Sequence, residues 1–316
     1  MFAVRGIAVS LSVFVIVYCA ASLVVLVTWR NVWSRWQRQS AHRRADWLFF
    51  LRMLPLISAV LITAAFAVPS FLLFEPRSIE EPLGSVTVML AFLALTLVGF
   101  GVWKSLAALH RSWQKISEWT RAAENLETDA PVSVLRVSGA AVAMTAAGIV
   151  RPQILLSDAA RTLLSPNELR TALNHELAHV RRYDNFRKLL LQLAVFPPMS
   201  GLEAAWLEAI EMAADDAAVS NTSEALDLAS ALIKLSRSAQ LAPPIELTAA
   251  LVHSPAAVVD ARVKRLIAWQ AASRPKRHRP SIWCTLPAAL ATIAIFAFTY
   301  NELLVRVHTA TEWLVR

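Results

Sequence analysis

Two histidines and a glutamate stand at a spacing that suits metal-assisted hydrolysis. His175, Glu176 and His179 form the pattern H-E-x-x-H within LNHELAHVRRYDN, which begins at Leu173 and ends at Asn185. Residues four apart lie one turn apart on the same face of a helix, so both imidazoles can bind one zinc ion. Glu176 can reach a water on that ion and act as general base. Zinc lowers the pKa of such a water to about 7, so hydroxide becomes available at neutral pH.

A third protein ligand must come from elsewhere, because a catalytic zinc ion keeps three protein ligands and one open position. Glu211 and Asp215 are four residues apart on a predicted helix and therefore share a face. Glu211 can bind the metal, and Asp215 can accept a hydrogen bond from a ligand imidazole. Glu203 and Glu208 are alternative ligands, and a solvated helix face is the alternative for the whole acidic set. Small residues would let this helix approach the first one closely: Ala213, Ala214, Ala217 and Ala218.

The pattern H-E-x-x-H can arise by chance, so the elements around it matter. Ser165, Pro166 and Glu168 form a helix start, with serine as N-cap, proline at the first helical position and glutamate closing a capping box. The predicted helix runs from there to about Arg182. Asp184 and Asn185 are expected to cap the next helix. Further helices are predicted at about 185–195, 202–219, 223–239 and 258–272.

Three short strands are predicted before the capped helix. Two of them, Val132 to Val137 and Val142 to Met144, flank a turn at Ser138-Gly139, and the third runs from Ile149 to Leu156. Pro152 favours an edge position for the third strand, because proline cannot donate to the ladder. We therefore expect a small sheet in a mainly helical domain.

The remaining sequence is apolar enough to cross a membrane. Hydrophobic residues make up 56% of the 316 residues, against about 45–50% in soluble domains. A span needs about 20 apolar residues, and four runs qualify: about 7–29, 53–74, 86–103 and 282–300. A cleaved signal peptide is the alternative for the first run, which is long for that role and follows a single arginine. Cys19 and Cys284 lie inside apolar runs and predict no disulfide or cysteine–zinc site.

Charges between the runs predict one topology. Residues 30–46 hold five arginines, whereas residues 75–85 hold three glutamates and one arginine. Positive loops stay cytoplasmic, so we expect the N-terminus outside and residues about 104–280 inside. The predicted domains are three membrane helices in 1–109, a cytoplasmic domain in 110–280, and a fourth helix with a short external tail in 281–316. The basic residues behind the net charge of +8 thus lie beside the predicted membrane helices. We therefore expect a lipid bilayer as partner and no binding of nucleic acid.

These features together resemble BlaR/MecR-type membrane metallopeptidases. The likeness rests on RPQILL at 151–156, LSPNEL at 164–169, HELAH at 175–179 with Arg182, Asp184 and Asn185, Glu211 with Asp215-Asp216, and the order of spans. The resemblance implies a gluzincin-like zinc endopeptidase whose active site faces the cytoplasm or the inner membrane surface. It implies one zinc ion per chain, with His175, His179 and Glu211 as ligands and Glu176 as base. It also puts the strand 149–156 beside the cleft, where an extended substrate could add as a further strand.

The sequence departs from antibiotic-sensing members of that family, which continue after the fourth span into a large external penicillin-binding domain. This chain ends at Arg316, so we expect no β-lactam sensor within it.

Three residues are weaker candidates for stabilising the transition state. His253 and Arg262 faintly resemble the His-Pro…Arg stretch of HtpX-type membrane proteases, where a cation or imidazole near the scissile carbonyl would stabilise an oxyanion. A loop histidine and a surface ion pair are their respective alternatives. Tyr183 could also donate to an oxyanion, or it could pack at the helix end.

The sequence thus predicts a polytopic membrane zinc endopeptidase that cleaves proteins at the cytoplasmic face. Regulated cleavage of a repressor or anti-factor is the first hypothesis, and an HtpX-like protease acting on misfolded membrane proteins is the second. A non-catalytic receptor or scaffold on a peptidase fold is disfavoured, because the base and all three ligands are present. A DNA-binding regulator is disfavoured further, since no helix-turn-helix pattern accompanies the basic residues. The oligomeric state is left open.

Overall fold

The computed structural model describes residues 2–36, 39–76, 83–121, 123–126, 131–138, 144–238, 249–250, 256–269 and 299–312. These residues are mainly helical, with one small sheet. They fall into two compact units. The first unit contains Met1–Thr28, Met53–Phe100 and Ser273–Arg316, and the second contains Trp29–Arg52 and Gly101–Ala272.

Long apolar helices occur where the first three spans were predicted. They are α1 (Phe2–Trp36), α2 (Ala41–Ile62) with a π-helical turn (Thr63–Ala67) and α3 (Val68–Phe74), and α4 (Ser85–Thr120). Three segments are long and apolar enough to cross a membrane: Phe2–Asn31, Ala41–Phe74 and Ser85–Thr120. The helices run past the predicted spans, because their polar flanks are helical too. The expected loop at 30–46 is therefore mostly helix, with Arg30 in α1 and both Arg43 and Arg44 in α2.

The fourth predicted span lies almost wholly outside the described residues. Only residues 299 and 300 of the run 282–300 are described, and they begin a helical segment at 299–312.

Helices of the first unit are joined by close packing and a few polar contacts. A side chain at Gly6 would place its Cβ 2.7 Å from the Phe71 ring, so glycine permits α1 to approach α3. The Ser12 hydroxyl donates to the Thr87 carbonyl at 3.1 Å, which joins α1 to α4. No more than 28% of the apolar window in any of the three candidate spans is buried. The apolar surface that remains exposed is what a helix facing lipid requires.

The second unit is built on a five-stranded sheet with strand order β1-β2-β4-β3-β5. The strands are β1 (Glu124–Leu126), β2 (Val134–Val137), β3 (Met144–Ala147), β4 (Gln153–Ser157) and β5 (Ala249–Ala250). Strands β2 and β4 are parallel, and the other neighbours are antiparallel. Strands β1 and β5 were not predicted, and of the predicted strand 142–144 only Met144 is described.

The predicted edge position of the strand 149–156 is wrong. Strand β4 begins only at Gln153, so Pro152 lies just before it and removes no ladder hydrogen bond. β4 pairs with β2 on one side and with β3 on the other. Because both of its edges are paired, the expected addition of a substrate strand to β4 is also wrong.

Helices cover both faces of the sheet. One apolar core joins strands β2 to β4 with α5 (Asp158–Leu163), α6 (Pro166–Arg181), α8 (Ser200–Ala218), α9 (Thr222–Ser238) and α10 (Ala256–Ile267). On the other face Ile116 and Trp119 of α4 pack against Val137, Ala147 and Leu155. Helix α7 (Asp184–Leu193) and a 3₁₀ turn (Pro197–Met199) connect α6 to α8. The predicted helices of this region are confirmed within two residues at each end, except that α10 ends at Ile267 and residues 270–272 of the predicted 258–272 lie outside the described residues. Helix α5 was not predicted.

Candidate metal centre

Helix α6 starts at the predicted capping box. The Ser165 hydroxyl accepts from the Glu168 amide at 3.3 Å, and the Glu168 carboxylate accepts from the Ser165 amide at 2.8 Å. The same carboxylate also binds Ser230 at 2.5 Å and Lys234 at 2.7 Å on α9. Burial would raise the pKa of Glu168, but Lys234, Ser230 and the Ser165 amide lower it to about 2. One side chain therefore fixes both the start of α6 and its contact with α9.

One turn of α6 brings the two histidines together in the interior. His175 is 0% exposed and His179 is 2% exposed, and their Nε2 atoms lie 3.1 Å apart. The Glu211 carboxylate of α8 lies 3.6 Å from each Nε2. Ligands at about 2.0–2.1 Å from a tetrahedral zinc ion are about 3.3 Å from one another. The structure thus brings together the three residues that the sequence offers as ligands, at separations compatible with one metal ion.

The other nitrogen of each imidazole faces a buried carboxylate. His175 Nδ1 lies 3.0 Å from Asp215 Oδ1, and His179 Nδ1 lies 2.8 Å from Asp184 Oδ2. Burial would lower the pKa of His175, but its hydrogen bonds with Asp215 and Glu211 raise it to about 9. Carboxylates in this position fix ring orientation and raise ligand basicity, so both Nε2 atoms are directed to the shared centre.

Arg262 of α10 is 0% exposed and holds the acidic pair on α8. Its guanidinium donates to both oxygens of Asp215, from Nε at 2.9 Å and from Nη2 at 2.7 Å. Its Nη1 lies 3.0 Å from Glu211 Oε2. Burial would raise the pKa of Glu211, but Arg262 and the histidines lower it to about 2. Glu211 is therefore held as a carboxylate, the form that binds a metal.

Glu176 is buried between α6 and β3. Its Oε2 accepts from the Ala146 amide at 2.6 Å, while its Oε1 is buried and has no hydrogen-bond partner among the described residues. Burial raises the pKa of Glu176 to about 7, although both histidines act in the opposite direction. A buried carboxyl group that titrates near neutrality can both accept and return a proton.

The alternative third ligands are not brought to the histidines. Glu208 is exposed and Glu203 is half-buried on α8, whereas Glu211 is 8% exposed and faces α6. Of the four small residues expected to face α6, Ala213, Ala214 and Ala218 are buried, whereas Ala217 is exposed. Among the described residues, the histidines and Glu211 form one of two groups whose ligand atoms lie within 4.8 Å of one another.

Comparison with known families agrees with this geometry. Residues 81–266, more than half of the chain, match the family described as BlaR1 peptidase M56. The chain belongs to this family. The BlaR/MecR-type resemblance is thereby confirmed, and with it a metallopeptidase of membranes. No curated protein matches the chain.

In this member of the M56 family, the expectation that Asp184 and Asn185 cap the next helix is wrong, because both residues lie inside α7. Helix α7 has Tyr183 as its N-cap residue, without a side-chain capping bond. Asp184 binds His179, and the Asn185 amide donates to the Ala146 carbonyl at 2.9 Å. The sequence did carry a usable signal, since an acid five residues after a ligand histidine can fold back onto it across a helix end.

Tyr183 and His253 were predicted as candidates for stabilising the transition state. Tyr183 is 65% exposed with a left-handed φ of 55°, so it does not pack at the helix end. It lines a small, open pocket together with His179, and its role in stabilising a transition state stays a prediction. His253 lies outside the described residues.

Lys188 was missed altogether by the sequence reasoning. It follows Asp184 by one turn of α7. Burial lowers the pKa of its amine, and the carboxylates of Glu211 and Asp184 act against that effect. Lys188 is thus a further titratable group of the site, near the carboxylates of the centre.

A chain of ion pairs links α2 to one of the histidines. Arg182, the C-cap residue of α6, places Nη2 3.3 Å from Asp46 Oδ1 and Nε 3.5 Å from Asp184 Oδ1. Arg187 of α7 donates to the same Asp46 oxygen at 2.7 Å. Because Asp184 also binds His179, the start of an apolar helix is connected to the candidate metal centre through buried or half-buried charges.

Proposed function

We propose that the chain is a membrane zinc endopeptidase, with His175, His179 and Glu211 as metal ligands and Glu176 as general base. The convergence of three buried ligand atoms at zinc-like separations supports this proposal most directly. The two histidines and one glutamate form a donor set typical of catalytic zinc, with one position left for water or substrate.

The residues around the centre would have separate roles in hydrolysis. Zinc held there would supply a Lewis acid that polarises the scissile carbonyl and makes hydroxide available at neutral pH. The Ala146 amide holds one oxygen of Glu176, so the other oxygen can take a proton from the attacking water and return it to the leaving amine. Asp215 and Asp184 keep the imidazoles in orientation, and Arg262 keeps Glu211 and Asp215 ionised and in place.

We further propose that the enzyme is a four-span protein of the bacterial inner membrane, with the peptidase unit in the cytoplasm. Three apolar helices and the distribution of arginines support this topology. Its substrates would be proteins at or near the cytoplasmic face of the membrane. Three spans before the peptidase unit and one after it favour regulated cleavage of a repressor or anti-factor over general quality control.

Substrate trapping tests the proposed activity and its purpose together. The variant Glu176→Gln should keep its zinc and lose proteolysis, because the amide cannot take the proton while the ligands are untouched. Proteins that it retains in cells would be identified by mass spectrometry, with Glu208→Gln as the matched, active control. Proteolysis retained by Glu176→Gln would end the assignment of the base. Trapping only of misfolded membrane proteins would replace regulated cleavage with quality control.

A further inference from the structure

A second group of metal-ligating side chains lies in the first unit, away in sequence from the H-E-x-x-H motif. It consists of Glu75, His308 and Glu312, each of which offers one ligand atom within 4.8 Å of the other two. Glu75 directly follows α3, and His308 and Glu312 are four residues apart in the helical segment 299–312. His308 Nε2 lies 3.5 Å from Glu312 Oε1. Spacing of this kind again puts two donors on one helix face.

Contacts along the segment 299–312 fix its position against α3. The Tyr300 hydroxyl donates to the Ala65 carbonyl at 2.6 Å. Further along, the His308 ring lies 5.7 Å from the Phe74 ring. Residue numbers increase in the same direction along both segments between these two contacts, so the segment 299–312 runs parallel to the π-helical turn and α3. The imidazole is therefore set by packing at the level where α3 ends and Glu75 follows.

The group is largely shielded and carries excess negative charge. The Glu75 and His308 side chains are 7% and 15% exposed, and Glu312 is 44% exposed. Arg5 at the start of α1 places Nη1 2.9 Å from Glu75 Oε1. Two carboxylates against one guanidinium leave one net negative charge while the imidazole is neutral. Because shielded carboxylates are costly unless paired or bound to a cation, a divalent ion fits this group.

We propose that Glu75, His308 and Glu312 bind a divalent transition-metal ion of the zinc class. One imidazole nitrogen and carboxylate oxygens are the donor types that such ions accept in proteins, whereas magnesium and calcium prefer oxygen ligands alone. Arg5 then holds the second oxygen of Glu75, as partners of ligating carboxylates commonly do.

An ion at this position joins three parts of the first unit that are distant in sequence. Arg5 belongs to α1, Glu75 follows α3, and the other two ligands belong to the segment 299–312. In the proposed topology this end of the helices faces the outside, because α1 begins there and the acidic loop 75–85 follows α3. The site therefore takes its ion from the non-cytoplasmic side of that membrane, independently of the catalytic centre and of whether the peptidase assignment holds.

Zinc titration of the purified full chain in lipid nanodiscs, followed by calorimetry and elemental analysis, tests the proposal. The wild type should bind two zinc ions per chain. His308→Gln and Glu312→Gln should each bind one, or bind the second at least tenfold more weakly. Glu302→Gln on the same helical segment and His110→Gln on α4 are matched controls, since both residues are exposed, and each should bind two.

Specific outcomes separate this site from the catalytic one. Glu312 is the most exposed of the three ligands, so its variant should fold even if His308→Gln does not. Glu211→Ala should lose the catalytic ion and keep the second, which keeps the two proposals distinguishable. The same zinc stoichiometry and affinity in wild type, His308→Gln and Glu312→Gln would overturn the second site. So would equal occupation by magnesium or calcium, since the imidazole would then contribute nothing.

Discussion

His175 is oriented by Asp215 and His179 by Asp184, so the freedom of each imidazole is removed before any metal arrives. Glu211 is oriented in the same way by Arg262. A preorganised set of ligands loses little side-chain entropy on binding, because the rotamers are already selected. The supporting residues should therefore affect metal affinity without touching the ion.

The third ligand can be tested by comparing two glutamates on one helix. Loss of a residue that only supports a ligand lowers metal affinity by about 10–100-fold. Glu211→Ala removes a ligand itself, so it should weaken zinc binding by about 100-fold or more. Glu208→Ala should keep full occupancy, since Glu208 is exposed on α8. Zinc content after dialysis against a competing chelator measures both. Loss of zinc only in Glu208→Ala would move the third ligand to that residue.

The variant Arg262→Lys can show whether Arg262 positions the ligands or stabilises the transition state directly. Arg262→Lys keeps the positive charge but cannot hold Asp215 and Glu211 at once, because lysine lacks the planar fork. If Arg262 positions the ligands, zinc affinity should fall by about 10–100-fold, and saturating zinc should restore most of kcat. A loss of kcat at full zinc occupancy, with unchanged zinc affinity, would instead assign Arg262 to the oxyanion.

For single residues of the site, the sequence predicted those whose partners are close in the chain. His175, His179 and Glu176 follow from one helical turn, and the pair Glu211 and Asp215 follows from another. The contact of Arg262 with Asp215 spans 47 residues, and no local pattern encodes it. The spacing of residues indicates candidate ligands. The position of the Arg262 guanidinium, which holds them in place, depends on tertiary packing.

The helices of the second unit were predicted better than its strands, for a physical reason. The start of α6 is encoded locally by Ser165, Pro166 and Glu168, and it forms as expected. Strands β1 and β5 have three and two residues, too short for an alternating pattern. The position of β4 between β2 and β3 is set by pairing across the fold, which a single proline before the strand does not reveal.

The Glu168 carboxylate predicts a pH-dependent contribution to stability. Its pKa is about 2 in the folded protein against an ordinary value of 4.5. The stabilisation is therefore complete above about pH 4.5 and is lost as the pH falls toward 2. Glu168→Gln should lower the unfolding free energy by about 1–3 kcal/mol at pH 7, through lost capping and lost charged hydrogen bonds.

Thermal unfolding of both proteins between pH 7 and pH 3 measures this contribution. The difference between wild type and Glu168→Gln should narrow steadily below pH 4.5. Glu224→Gln is a suitable control, because Glu224 also lies in the first turn of a helix, α9, and accepts from the Ser220 amide. A difference that stays constant with pH would show that ionisation of Glu168 is not the cause.

The compact unit that holds the metal centre also includes residues of the first two apolar helices, which composition alone did not indicate. Trp29 packs on Gly201, and Phe49 packs on Trp206. Arg52, at the end of this segment, is 4% exposed and donates to the Ala194 carbonyl. These contacts join residues more than 140 positions apart, so hydropathy could locate the helices but not their attachment to α7 and α8.

Cysteine labelling can test the direction in which the chain crosses the membrane. After replacement of Cys19 and Cys284 by alanine, single cysteines would be introduced at Pro76, Ser223 and Arg316. Pro76 and Ser223 are exposed, so access to either depends on the side of the membrane. A membrane-impermeant maleimide applied to intact spheroplasts should label Pro76→Cys and Arg316→Cys at once, and Ser223→Cys only after lysis. The reason is the placement of arginines in 30–46 and of glutamates in 75–85, which only one orientation satisfies. Labelling of Ser223→Cys before lysis would put the peptidase unit outside, and its substrates would then be sought among exported proteins.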